Sequence, residues 1–352
     1  MKIGLLTYHR AENYGAELQA IALRFFLENL GNEVYFIDYY PDYHQKIYAI
    51  PKISKRFALK NPSSYFHKQL DNLFKYLRKQ SFQKFQKKHI IPHCTSLEES
   101  FDVVIYGSDQ IWRKQPFVKT YNPIYFGKND IQTKLHISYA ASIDTLPQTE
   151  EDMRTFQELI THLDKISVRE SSLRNTLLSM GVKAELSIDP VFLLTEEQWN
   201  KIIPAKNQKE KYILYYNLQD TFDKQEIEKF ATAHHMRLKI ITGKAYYTKD
   251  YSINTIGGPE EFISAIRNAQ FVFTSSFHGL AFSIVFHKPF YVSVRHGISR
   301  IESLLYELNL QDHQLPEKAN IPQEIFPVDF SRIDTILAQK RRDASIYLQF
   351  NN

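Results

Sequence analysis

Short apolar runs alternate with helix-length segments along almost the whole chain, and this alternation is what most restricts the fold. Runs of strand length occur at 2–8, 33–38, 101–107, 134–141, 164–168 and 183–188, then again at 212–218, 237–242, 271–276 and 289–294. Between the first two, Gly15 to Leu30 carries Leu18, Ile21, Ala22, Phe25 and Phe26 at helical spacing before Gly31 stops it. Helix-like segments near 222–235, 259–268, 278–287 and 299–308 separate the runs of the second series. Stacked βαβ units on parallel sheets follow from this pattern. The expected fold is α/β, with two doubly wound Rossmann-like domains, and 352 residues of which 43% are hydrophobic can bury two such cores. The expected boundaries are 1–190, with a helical insertion at about 44–93, a linker at 191–211, a second domain at 212–330 and a final helix in 331–352. Pro204 and the polar run Lys206 to Lys211 have linker composition, whereas Ile333, Ile336, Leu337, Ile346 and Leu348 would pack the last helix back onto the body.

One junction in this pattern carries chemistry. The run Phe271-Val-Phe-Thr274 stops at Ser275-Ser276, and a helix pattern starts at once with His278-Gly279 at its head. Helix N-termini present amides and the positive end of a dipole, so such a junction is an anion site, and an imidazole there can exchange protons with what binds. The bland reading is a histidine that bonds a carbonyl beneath the sheet. Arg169 follows the strand Lys165 to Val168, where a guanidinium fork can hold a carboxylate or phosphate, or can form a salt bridge to Glu170 or another acid. A P-loop, Gly-x-Gly-x-x-Gly, His-Glu-x-x-His and Gly-x-Ser-x-Gly are all missing from the sequence. Neither a metal requirement nor a cofactor is indicated, and His234-His235 lie on what reads as a helix surface.

The net charge of +5 is modest, but its distribution is uneven. Between Lys46 and Lys88 stand twelve Lys or Arg residues against one acid, Asp71, with Phe57, Tyr65, Phe66, Phe74, Tyr76, Phe82 and Phe85 among them. Such a segment is the wet face of helices whose aromatics pack inward, a surface for anionic membranes or a track for a nucleic-acid backbone. RNA-binding signatures of the RNP or GXXG type are absent, and no nucleic-acid partner is expected. A lone cysteine, Cys94, excludes an internal disulfide and fits a reducing compartment. Lys2 to Tyr8 reads as a strand rather than a signal peptide, and no segment approaches the ~18 apolar residues of a membrane span, so the expectation is a cytoplasmic protein, peripheral at the inner face of the membrane if the basic segment docks there.

Asn13-Tyr-Gly-Ala-Glu-Leu-Gln-Ala20, Tyr106-Gly-Ser-Asp-Gln-Ile-Trp112, Ser138-Tyr-Ala-Ala-Ser142, Ser167-Val-Arg-Glu170, Asp189-Pro190 and Ser275-Ser-Phe-His-Gly279 occur in this order. The series resembles the motifs of the polysaccharide pyruvyl transferase family over nearly the whole chain, from Lys2 to about Leu310. The resemblance implies two facing domains of GT-B-like architecture, with ligands beyond the carboxyl ends of the strands. It also implies transfer of pyruvate from phosphoenolpyruvate, as donor substrate, to two hydroxyls of a sugar in a cell-surface polysaccharide or a lipid-linked oligosaccharide precursor, as a cyclic ketal. On this reading His278 is the catalytic acid and Asp109 the candidate base. Arg169, Ser275, Ser276, His278, Gly279 and Arg295 bind the donor, and Asn13, Tyr14, Glu17, Gln110 and Trp112 bind the acceptor. Ser276 departs from the family pattern, which has Arg there in many members; either Arg295 or Arg300 replaces that cation, or the donor differs. Each assignment has a structural alternative: Asn13 and Ser108 as helix caps, Trp112 as core, Asp189 as a turn former. Two further readings stay open: a GT-B-type glycosyltransferase using a nucleotide sugar, and a non-catalytic protein that binds glycans or anions.

Overall fold

The computed structural model describes residues 1–52, 62–205, 210–242, 257–295 and 299–350. The chain divides into two compact units, the first of residues 1–48, 86–195 and 331–352, the second of residues 49–85 and 196–330.

The first unit holds five parallel strands in the order β3-β2-β1-β4-β5: β1 (Lys2–Leu6), β2 (Glu33–Ile37), β3 (Cys94–Thr95), β4 (Phe101–Tyr106) and β5 (Thr133–Ser138). Parallel β6 (Ser167–Val168) and β7 (Glu185–Leu186) continue it through the bridges Ile137 to Lys165 and Ala141 to Val168. This is the strand order of a dinucleotide-fold sheet, and its direction reverses between β1 and β4. Helix Tyr14–Asn29 is capped by Asn13, whose Oδ1 accepts from Ala16 N at 3.2 Å. Its Leu18, Ile21, Ala22 and Leu23 have no exposed surface. Truncating one of its leucines would cost ~2–5 kcal/mol. Gly31, at φ 84°, supplies the left-handed residue that ends the turn.

The last helix, Phe330–Tyr347, returns to this unit. Tyr347 donates to Ser138 O at 2.8 Å, Lys165 Nζ donates to Tyr347 O at 3.0 Å, and Arg341 Nε donates to Phe192 O at 2.8 Å.

The second unit holds β8 (Tyr212–Asn217), β9 (Arg237–Thr242), β10 (Phe271–Thr274) and β11 (Phe290–Val292), all parallel in the order β11-β10-β8-β9. Its core is aromatic: Phe230 packs on Phe271 and Phe273, and Phe271 lies 5.2 Å from Tyr291 between ring centres. The strand order here reverses between β8 and β10.

Two boundary readings need correction. The expected linker at 191–211 is built structure where it is described. Pro190–Leu193 form a buried turn of 3-10 helix in the first unit, and Glu196–Ile202 form a helix whose Trp199 is buried against Phe282, 5.1 Å away, in the second. Residues 206–209 of the polar run lie outside the described residues. The basic segment forms helix Pro62–His89, of which residues up to Phe85 belong with the second unit rather than the first. Phe82 and Phe85 on this helix are buried, and Ser81 lies against Gly258 of that unit. Phe57 lies outside the described residues, whereas Phe66 and Tyr76 are exposed.

Candidate functional site

In the second unit the chain leaves β8 toward β9 through helix Lys224–Ala233, then returns past β8 to β10 through helix Pro259–Asn268. Ligands of such sheets bind where that direction reverses, beyond the carboxyl ends of β8 and β10. Ser275, Ser276, His278 and Gly279 stand there. Thr274 Oγ1 accepts from Ser276 N at 3.0 Å, and Ser276 caps helix Phe277–Val285 by accepting from Gly279 N. Ser275 Oγ accepts from Leu218 N and Gln219 N, at 3.0 and 3.1 Å, which ties the end of β10 to the loop after β8. Gly279 is required by contact, since a Cβ there would sit 2.2 Å from Thr274 Oγ1 and 2.8 Å from Tyr216 Cδ1. The helix thereby closes on the sheet and brings its N-terminal end to the crevice. His278 is buried in the first turn, edge-on to Phe277 at 5.2 Å.

Of the two arginines held as alternatives to Ser276, Arg300 is the one at this helix, its guanidinium 5.9 Å from the Phe277 ring. Arg295 is exposed and pairs with Glu317 at 3.4 Å.

In the first unit, Gln19 joins the ends of β1 and β4: its Nε2 donates to Thr7 Oγ1 at 2.9 Å and its Oε1 accepts from Ser108 N at 3.2 Å. The next residue, Asp109, is half-buried at φ 65°, a left-handed conformation that Asp tolerates. Its Oδ1 accepts from Gln110 N at 2.9 Å. Asp109 and Gln110 therefore stand together at the reversal point. Three of the expected acceptor residues are buried. Tyr14 and Glu17 are buried in helix Tyr14–Asn29, where Glu17 accepts from Gln86, and Trp112 is core, stacked on Phe126 at 5.3 Å with its indole N–H donating to Tyr125 O at 3.0 Å. Large apolar bodies with a single polar tip go inside when that tip finds a carbonyl, as this indole does. Asn13 spends its side-chain oxygen on the helix cap.

The same region holds a residue that the sequence reading missed. His44 is buried among Tyr8, Tyr43 and Tyr48, with ring centres at 4.4, 4.6 and 5.8 Å. Burial pushes its pKa down to about 4, Arg113 adds to the shift and Asp109 opposes it. The signal was present in Tyr39-Tyr40-Pro-Asp-Tyr43-His44 and Tyr48, a density of aromatics unusual for an insertion start. A histidine that stays neutral when folded but protonates when unfolded makes stability fall with acid. That contribution is complete above the ordinary histidine pKa near 6.5 and is lost as pH falls toward 4. A slope of roughly 1 kcal/mol per pH unit is expected in this window, and His44→Phe should flatten it in denaturant titrations at several pH values.

Arg169 is also in the first unit, and its guanidinium serves a buried network. Nη1 donates to Asp189, Nε to Glu170 Oε1 at 3.3 Å, and Nη2 to Ser142 Oγ at 2.8 Å. Burial works against the charge, but Asp189 and Glu170 more than offset it and hold the pKa above the ordinary arginine value. The expected grip on a donor anion is thus not what these hydrogen bonds supply; the salt-bridge alternative describes them.

The family described as polysaccharide pyruvyl transferase matches residues 13–296. No curated protein matches the chain. Among solved structures, similarity extends to the UDP-GlcNAc 2-epimerase of Methanocaldococcus jannaschii, with 10% identity, 99% of each chain covered and a TM-score of 0.47. The Neisseria meningitidis UDP-GlcNAc 2-epimerase bound to UDP-GlcNAc gives 11% identity, 100% and 95% coverage and a TM-score of 0.46. The E. coli heptosyltransferase with ADP gives 9% identity, 97% and 100% coverage and a TM-score of 0.40.

Proposed function

The chain belongs to the polysaccharide pyruvyl transferase family, and from that premise we propose that it transfers pyruvate from phosphoenolpyruvate to two hydroxyls of one sugar in a surface glycan or its lipid-linked precursor. The observation that carries this reading is His278 in the first turn of helix Phe277–Val285, at the reversal point of its sheet. The reaction needs a proton on the methylene carbon of the enol, and a buried imidazole beside a helix N-terminus can give it while the helix end and Arg300 hold the anionic groups. Protonation leaves a cationic carbon that a sugar hydroxyl attacks, losing its own proton to a base. Cleavage of the carbon–oxygen bond to phosphate then lets the second hydroxyl add, so the products are the cyclic ketal and inorganic phosphate. Cations near the donor stabilise the departing phosphate.

Phosphoenolpyruvate should raise the melting temperature of the purified chain. Incubated with phosphoenolpyruvate and glycan from cells lacking the protein, it should release phosphate and add to the glycan the mass of one pyruvate less one water. Stabilisation by a nucleotide sugar but not by phosphoenolpyruvate would instead establish the glycosyltransferase reading.

Helix Pro62–His89 bears on where the acceptor resides. Phe66, Leu73, Tyr76 and Leu77 are exposed on it, among Lys68, Lys75, Lys84, Lys87 and Lys88, which are exposed too. Apolar side chains flanked by lysines suit the boundary of an anionic bilayer, which supports a membrane-borne acceptor. No described helix is long and apolar enough to cross a membrane. Co-sedimentation with vesicles containing anionic lipid is expected at low salt and should fall as salt rises; Phe66→Ser with Leu73→Ser should weaken it at every salt concentration. Absence of binding at low salt would leave this face a solvated one.

A further inference from the structure

At the carboxyl end of the first sheet, three side chains with no part in pyruvyl transfer converge: His9 shortly after β1, Asp38 directly after β2 and Cys94 at the start of β3. One ligand atom from each lies within 4.8 Å of the other two. The His9 side chain has 0% exposure, and its ring is stacked on Phe36 with centres 5.2 Å apart. Its Nδ1 lies 3.0 Å from the Thr7 carbonyl oxygen, which can only accept, so Nδ1 carries the hydrogen. That leaves Nε2 directed at Asp38 Oδ1, 3.6 Å away, with no hydrogen bond of its own.

In the neutral ring this arrangement sets a nitrogen lone pair against a carboxylate, and a cation belongs between them. A proton on Nε2 would make the two an ion pair, but 3.6 Å is longer than the ~2.7–3.2 Å of an N–H to O hydrogen bond. Ligand bonds of about 2.0–2.2 Å at tetrahedral angles separate two zinc ligands by about 3.4 Å, close to the spacing seen. Donation of the other ring nitrogen to a backbone carbonyl is also how metal-bound histidines are held. Arg10 Nη1 donates to both Asp38 oxygens, at 2.8 and 2.9 Å, which fixes the carboxylate plane. Its charge opposes a metal, but each carboxylate oxygen keeps a further lone pair. Asp38, with 37% side-chain exposure, opens the cluster to solvent. Cys94 Sγ lies 3.5 Å from Ile90 O, a weak contact that a metal would replace.

We propose that His9, Asp38 and Cys94 form a binding site for a transition metal of the zinc class, with a fourth coordination position open to water. Imidazole, carboxylate and thiolate together select such borderline ions over magnesium or calcium. Cys94 binds as the thiolate, its proton passing to solvent.

The test uses the full chain, stripped with a chelator and titrated with cobalt(II). One equivalent should bind and develop a thiolate-to-cobalt charge-transfer band in the near ultraviolet, and zinc should displace it. Cys94→Ser, close in shape and only half-buried, should fold and lose the band, while His9→Gln should weaken zinc binding on the order of 10–100-fold. Failure to bind, cobalt uptake without the band, or equal zinc affinity in wild type and both variants would overturn the site.

Discussion

Replacing Arg169 by methionine is expected to lower the unfolding free energy by ~3–5 kcal/mol, as befits a buried ion pair that loses one partner. The size follows from what stays behind. Asp189 and Glu170 are 1% exposed, and both meet this guanidinium, so removing it leaves two carboxylates in the interior with their main cation gone. Asp189 also accepts from Val191 N at 3.0 Å, which starts the 3-10 turn Pro190–Leu193 packed beside helix Tyr14–Asn29. Damage would therefore extend beyond the pair itself. Arg169→Lys keeps the charge but has one head for three directions, and should fall between wild type and Met. Urea unfolding, with the m-value as a check on two-state behaviour, measures both. A lysine variant as stable as wild type that nevertheless loses affinity for phosphoenolpyruvate would reverse this account and return Arg169 to the donor.

The parallel sheets were legible because strands such as β8 and β10 are short, mostly apolar runs between helix-spaced segments, and helices Pro259–Asn268 and Ser299–Leu308 fall where periodicity put them. What was not legible depends on contacts made at a distance. β3 has two residues and exists only because Cys94 and Thr95 find β2. Pro204 and the polar run after it disguised the segment 191–211 as linker, although Val191-Phe-Leu-Leu194 is an apolar run that belongs in a core. Arg169 reads as a ligand-binding cation until its partners are known, and two of them lie 20 and 27 residues away. Trp112 shows the same limit from the other side: an aromatic after a strand is a sugar platform or a core residue according to whether its N–H reaches a carbonyl, and Tyr125 O settles that. The junction at His278 was readable because its geometry is local: strand, cap, glycine and helix are consecutive in the chain.

Substituting His278 by glutamine should reduce turnover ~10²–10⁴-fold, the usual cost of a missing acid–base group. Glutamine is close in size and can still hydrogen-bond, so helix Phe277–Val285 should keep its Ser276 cap and the variant its fold. It cannot deliver a proton to carbon. Donor affinity should change little, because the helix end, Ser275 and Arg300 are untouched, and stabilisation by phosphoenolpyruvate should persist in the inactive protein. Arg300→Gln makes the complementary case: with the acid in place and a cation removed, the loss should appear mainly in KM for phosphoenolpyruvate. This split separates a proton donor from a structural histidine, since a purely structural role would be rescued by glutamine. A glutamine variant that turns over at the wild-type rate would remove His278 from the chemistry, and the proton would then have to come from another group at the end of β8 or β10.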